Sequence, residues 1–272
     1  MKLSEMKRVL AERELRLTKS LGQNFMHDAN QLRRIVQAAD IKKSDQILEI
    51  GPGLGPLTEL LLKQAGEVLA IEKDLRLVEI LRQRFPGLQL VEGDALDHVN
   101  NRDWRDWKVV ANLPYSIASR LLVELAQNER GPQRMVVTLQ IEVAKRLLAR
   151  PGEEHYGLLT LLVQVDYEPR AYFKIPAGCF FPEPEVDSAC VSLVRRDPAL
   201  LEPGLRETFR KIVKRSFSQR RKQMLKLLRE DWPGPRLDEI FAQLQLSPQV
   251  RAEMVSLDQF VRLAQLSAPD SK

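Results

Sequence analysis

The stretch Gln46-Ile47-Leu48-Glu49-Ile50-Gly51-Pro52-Gly53-Leu54-Gly55 decides the fold. A short apolar run that reads as a strand passes directly into glycines spaced G-x-G-x-G, and Leu57, Leu60, Leu61 and Leu62 then carry a helix. Glycine in such a turn lets the backbone approach a ligand that a Cβ would exclude. Pro56 follows at once, so the spacing is not the G-x-G-x-x-G of a dinucleotide pyrophosphate site. Alone, the turn is as readily structural as ligand-binding.

Moving outward, the same rhythm repeats. Val68-Leu69-Ala70-Ile71 reads as a second strand, with a helix from Asp74 to about Phe85. Leu88-Gln89-Leu90-Val91 is a third strand, Val109-Val110-Ala111 a fourth, and Met135-Val136-Val137-Thr138-Leu139 another after a helix over 116–127. Upstream, Leu32, Ile35, Val36 and Ala39 lie at helical spacing behind Asp28. Strands alternating with helices predict an α/β, Rossmann-like fold, its sheet mostly parallel and covered by helices on both faces. After residue 150 the rhythm changes. Leu158 to Val165 is apolar, and Ala171-Tyr172-Phe173 and Cys190-Val191-Ser192-Leu193-Val194 read as late strands, candidates for antiparallel pairing. Residues 195–204 contain the best linker, and 205–264 are helical in pattern. The expected organisation is a basic lead-in over 1–22, an α/β catalytic domain over 23–196 and a smaller all-helical domain over 197–272.

At 272 residues, 44% hydrophobic and 29% charged, the chain has the composition of a globular protein able to bury a sizeable core. No apolar run approaches the roughly 18 residues of a membrane span, and the N-terminus lacks the apolar segment of a secretory signal. Cys179, Cys190 and three scattered His show no metal or redox spacing, so no metal is expected and a reducing, cytoplasmic location is. The net charge of +5 is unevenly spread: residues 206–229 hold ten Lys or Arg against Glu207 alone. Residues 1–20 hold six basic and three acidic groups, leaving the rest of the chain acidic. A charge run is commonly a solvated helix face, but this imbalance points to a polyanion partner.

Three further strand ends carry polar groups. Glu72 closes the second strand, where a carboxylate can bind ribose hydroxyls; Asp94, in Gly93-Asp94-Ala95, follows the third and could take an adenine amine. Asn112-Leu113-Pro114-Tyr115 follows the fourth. Asn and Pro after a strand also mark an ordinary turn. An amide oxygen and a backbone carbonyl can instead hold the N–H groups of a nucleobase amine, whose lone pair is otherwise delocalised, while Tyr115 stacks on the ring. Ligands of open α/β sheets bind at the carboxyl ends of the strands. Four such ends at one edge read jointly as S-adenosylmethionine beside a base amine.

With these motifs, Leu21-Gly22-Gln23-Asn24-Phe25, the run Phe180-Phe181-Pro182-Glu183-Pro184-Glu185-Val186-Asp187-Ser188 and Ser216-Phe217-Ser218-Gln219-Arg220-Arg221-Lys222 complete a pattern. From about Lys19 to Glu230 the chain resembles the KsgA-type small-subunit ribosomal RNA adenine dimethyltransferases. The resemblance implies a class I methyltransferase sheet that dimethylates two adjacent adenosines near the 3′ end of 16S rRNA with S-adenosyl-L-methionine. Cofactor contacts carry over to Asn24, Gly51, Glu72, Asp94 and Asn112, with Gln23, Met26, Gly53 and Ala95 beside them. Met26 departs from the family's usual Leu, a harmless change if its contact runs through the backbone. Asn112, Leu113, Pro114 and Tyr115 would clamp the base, and Phe180, which could equally be a core residue beside Phe181, resembles the aromatic that covers its other face. Arg215, Arg220, Arg221 and Lys222 are the expected rRNA contacts, and a monomer is expected. Competing readings are a large-subunit rRNA methyltransferase and a non-catalytic ribosome-assembly or transcription factor on the same fold; an assembly role could also coexist with catalysis.

Overall fold

A computed structural model describes residues 1–15, 22–100, 102–219 and 221–267. Its strands are β1 (Phe25–Met26), β2 (Gln46–Ile50), β3 (Glu67–Glu72), β4 (Gln89–Glu92), β5 (Trp107–Asn112), β6 (Arg134–Gln140), β7 (Tyr167–Ile175), β8 (Phe180–Phe181) and β9 (Ser188–Arg195). Seven of them form one sheet in the order β4-β3-β2-β5-β6-β9-β7. β2 runs parallel to both β3 and β5, β3 to β4 and β5 to β6, whereas β9 is antiparallel to β6. The central strands are apolar almost without interruption, as strands covered on both faces must be: Ile47, Leu48 and Ile50 of β2 are buried, as are Val109, Val110 and Ala111 of β5.

The chain builds outward from β2 to β3 and β4, then returns to the other side of β2 with β5. That reversal opens a crevice at the carboxyl ends of β2 and β5, where open α/β sheets take their ligands. The helix Ala29–Ala39 buries Leu32, Ile35, Val36 and Ala39 in one core cluster with Ile47, Val68 and Val110. The Asp28 carboxylate starts this helix by accepting from the N–H groups of Asn30 and Gln31, both at 2.9 Å. A second cluster joins Leu77 and Ile80 of the helix Leu75–Arg84 to Leu54 and Phe25.

Of the expected basic lead-in, residues 16–21 lie outside the described residues, and the part before them is not simply basic. Residues Leu3–Glu12 form a helix whose Met6 and Leu10 enter that second cluster, leaving charged groups such as Lys7 and Arg8 exposed. Apolar residues four apart lie on one helix face, a short signal that the surrounding charges conceal.

The chain folds into two compact units, residues 1–144 with 169–195 and residues 145–168 with 196–272. The segment 145–168, assigned above to the α/β domain, therefore groups with the C-terminal helices. The apolar run there forms the helix Leu158–Gln164, whose Leu161 and Val163 need buried surroundings. Asp166 holds Arg206 at 2.6 Å, the Tyr156 hydroxyl donates to the Val255 carbonyl at 2.7 Å, and the Tyr156 ring meets Phe217 edge-on. The long helical stretch divides into the helices Arg206–Ser216, Met224–Leu228, Gly234–Gln243 and Leu257–Ser267.

Candidate functional site

At the crevice beyond β2 and β5 lies a cavity of about 320 Å³. Its floor is the glycine turn. Gly51 and Gly53 have φ of +65° and +63°, a region that penalises side chains. A Cβ on Gly51 would stand 3.1 Å from the Pro114 ring, and one on Gly53 would stand 2.7 Å from the Phe25 ring. The turn is thus compressed between the two segments that flank the cavity.

Glu72, at the end of β3, reaches under this turn. One carboxylate oxygen accepts from the Gly53 N–H at 3.1 Å, and the other accepts from the N–H groups of Lys73 and Asp74, each at 2.9 Å. Three donors occupy part of a carboxylate's lone-pair capacity and leave room for a ligand hydroxyl. Burial nevertheless pushes its pKa up, against these backbone bonds. Asp94 follows β4: one oxygen caps the next helix at Leu96 N–H (3.0 Å), and the other meets the Lys73 ammonium at 2.9 Å. Lys73 holds the Asp94 carboxyl below its ordinary pKa. Ala95, buried beside it, also lines the cavity.

The segment 22–26 closes another wall. The Gln23 amide donates to Asp74 at 2.9 Å, and the Asn24 carbonyl accepts from the Asn112 amide at 2.9 Å. That second bond fixes which way Asn112 points. With its nitrogen committed, Asn112 Oδ1 is buried without a hydrogen-bond partner. An orphaned acceptor in a cavity wall calls for a donor from a ligand. Leu113 donates its N–H to the Thr138 carbonyl, and its own carbonyl accepts nothing among the described residues. The Pro114 carbonyl already accepts from Ile117 N–H at 3.1 Å. Of the two carbonyls suggested by sequence, Leu113 therefore offers the free acceptor. The Tyr115 hydroxyl bonds Ser188 Oγ at 2.6 Å, so its ring is fixed from β9.

The cavity brings together all the residues assigned to the cofactor and the four-residue clamp. Met26 is among them, its side chain packed into the first core cluster. Phe180 is not. It pairs with Met26 across β1 and β8, is 2% exposed and packs in that apolar cluster, directly behind a residue that does line the cavity. Phe181 and not Phe180 is the partly buried ring of the pair, and Lys7 lies over it at 5.2 Å from its centroid.

Several participants were missed from sequence. Asp74 anchors Gln23, Ser188 anchors Tyr115, and Lys73 engages Asp94. Glu49 lines the cavity fully buried, with Oε2 unpartnered, and burial together with the adjacent Glu72 pushes its carboxyl up to about 8. An acid inside the motif Glu49-Ile50-Gly51 was a visible signal, but period-two alternation alone could not say which face it took.

The basic segment is less free than its sequence suggests. Arg215 is held by Asp231 and, at 2.8 Å, by Glu230; Arg229 meets Asp238 at 2.7 Å, and Arg210 pairs with Glu207. These acids, Glu207 apart, lie outside 206–229, so the count of one acid understates the neutralisation. Arg215 is thereby a poor candidate for a free RNA contact. Arg221 and Lys222 make no ion pair among the described residues, and Arg220 lies outside them.

No group of His, Cys, Asp or Glu among the described residues could hold a metal, and no helix there is long and apolar enough to cross a membrane. Residues 14–268 match the family model described as ribosomal RNA adenine dimethylase. The chain is 38% identical to the ribosomal RNA small subunit methyltransferase A of Geobacter metallireducens, covering 92% of this chain and 95% of the relative. The Chlamydia abortus protein of the same name is also 38% identical, covering 95% of each. Among solved structures, a dimethyladenosine transferase from Plasmodium falciparum superposes with a TM-score of 0.75 at 27% identity, covering 88% of this chain and 95% of that one. The 23S rRNA methyltransferase ErmE gives 0.70 at 26% identity, with 90% and 99% covered. A match over nearly the whole chain, on a fold whose cavity holds an orphaned amide acceptor, leads to one conclusion: the chain belongs to the ribosomal RNA adenine dimethylase family.

Proposed function

We propose that this protein dimethylates the exocyclic amines of two adjacent adenosines near the 3′ end of 16S rRNA, within the small ribosomal subunit or its precursor. The observation that carries the reading is the pair of unpartnered acceptors, Asn112 Oδ1 and the Leu113 carbonyl, at the end of β5. A base amine presents two N–H donors, and two fixed acceptors suit it.

When bound, S-adenosylmethionine supplies a methyl group already activated on a sulfonium. The residues present fit it: Gly51 and Gly53 leave room for close backbone approach, Glu72 keeps acceptor capacity for ribose hydroxyls, and Asp94 is an ionised acceptor for an adenine amine. The protein's own contribution is alignment, which by itself can supply a large part of a rate enhancement. Asn112 and Leu113 orient the amine, Tyr115 supplies a ring face held by Ser188, and Gln23 ties the 22–26 segment to Asp74. After one methylation the amine keeps one N–H, so the same neutral acceptors can hold it for a second. The target base must leave its stack, at a cost of a few kcal/mol.

Assaying labelled methyl transfer to small- and large-subunit particles from an unmethylated strain tests this, with methylated positions mapped afterwards. Transfer to two adjacent adenosines of the small subunit, reduced at least about 100-fold by Asn112→Ala, is expected, as for loss of a positioned polar contact in a transition state. Transfer to the large subunit instead would favour the rival reading, for which the likeness to ErmE is the supporting observation. Unchanged dimethylation by Asn112→Ala would remove the clamp from the mechanism.

A further inference from the structure

The helical unit contains a second cleft, of about 680 Å³, that the reaction does not use. One wall is the helix Arg206–Ser216, which presents Thr208, Lys211 and Arg215 at three- and four-residue spacing, with Lys214 alongside. Such spacing puts side chains on one face. Phe209, Ile212 and Val213 are the buried apolar residues of this helix. The other wall is Trp232, which is half-buried, and whose indole N–H has no hydrogen-bond partner among the described residues. Tryptophan ordinarily pairs that group when it packs into a core.

The charges in the cleft are sorted. Asp231 is engaged by Arg215, so its carboxylate is already neutralised. Lys211 comes no nearer than 4.0 Å to Glu207, and Lys214 makes no ion pair among the described residues. Two ammonium groups thus line the same cleft as the indole. Cations alone would suit any phosphate; the indole adds a surface on which a base can stack, the combination by which proteins hold single-stranded nucleic acid.

We propose that the cleft between Trp232 and Lys211–Lys214 binds one nucleotide of single-stranded RNA, its base stacked on the indole and its phosphates held by the lysines. The proposal rests on the reading that the helical unit contacts rRNA, and gives that contact a defined pocket in place of a diffuse charge.

Trp104 and Trp107 are buried against each other, with ring centroids 5.4 Å apart. Trp232 is therefore the tryptophan that solvent and ligand can reach, so contact quenching by a bound base acts on its share of the emission. Titrating the full-length protein with oligoadenylate of about ten nucleotides, within the span of known single-strand sites, should quench this emission. The variants' affinities are read from the fluorescence anisotropy of a dye-labelled oligoadenylate: Trp232→Phe should keep the affinity within about two-fold, whereas Trp232→Ala should weaken it about ten-fold, the scale of one lost stack. Lys214→Ala should lower the slope of log affinity against log salt by about 0.7. Absent quenching, or equal affinity of Trp232→Ala and wild type, would overturn the proposal. So would polyphosphate showing the same ten-fold sensitivity to Trp232→Ala, because no base is there to stack. Reversing Arg221 and Lys222 to Glu separates the underlying reading: unchanged particle binding in that variant would count against those two residues as rRNA contacts while leaving the oligoadenylate result intact.

Discussion

At the scale of single residues, this site is governed by where acceptors are left unsatisfied. Asn112 gives its amide nitrogen to the Asn24 carbonyl, and that one bond turns its oxygen into a buried acceptor with nothing to accept. Leaving such a group unpaired costs about 1–3 kcal/mol, a penalty that a ligand donor relieves. Glu49 tells a related story. Burial raises its carboxyl to about 8, and in the unfolded chain it ionises near its ordinary value of 4.5. Between those values the folded protein keeps a proton that the unfolded chain has lost, so this group's contribution falls as pH rises and levels off above the folded value. Glu49→Gln, neutral throughout, should match wild type near pH 5 and exceed it near pH 8, by up to about 1.4 kcal/mol per pH unit crossed. Urea denaturation at several pH values measures this, and parallel profiles for the two proteins would mean that Glu49 is ionised in the fold.

Elements were legible where apolar periodicity was long. The helix Ala29–Ala39 and the strands β2, β3 and β5 fall close to their expected positions because sustained helical spacing in the one and continuous apolar runs in the others have few alternatives. The two-residue pair β1 and β8 has no periodicity to read, and exists only because Phe25 meets Phe181 and Met26 meets Phe180. That pairing also sets Phe180 beside Met26. The helix Leu3–Glu12 was hidden by its charges, and Leu158–Gln164 by the absence of any polar face to set a period. Where a cap was readable, its effect is testable: Asp28 satisfies two N–H groups, so Asp28→Ala should lower stability by about 1 kcal/mol in urea denaturation. Methyl transfer by the folded variant should persist, since Asp28 is outside the cavity wall. A loss of transfer at unchanged stability would assign Asp28 to the site.

Across the whole molecule, charge and topology divide the work. The basic run of 206–229 is neutralised along much of its length by Glu207, Glu230, Asp231, Asp238 and Asp166, which leaves Arg221 and Lys222 among its free cations. Arg221→Glu with Lys222→Glu should therefore weaken binding to small-subunit particles and lower the log–log salt slope by about two phosphate contacts; an unchanged slope would place the RNA elsewhere. The alternation of strands and helices, together with polar groups at four strand ends, determined the α/β architecture and the edge of the sheet that carries the site, because periodicity and turn chemistry are local. Local information ends there. That Asn24 would orient Asn112, that Asp74 would hold Gln23, and that acids beyond 229 would claim Arg215 and Arg229 depend on groups brought together by the fold and not by any local pattern. Only the packed tertiary structure decides which polar atoms find partners, and so which are left facing a ligand.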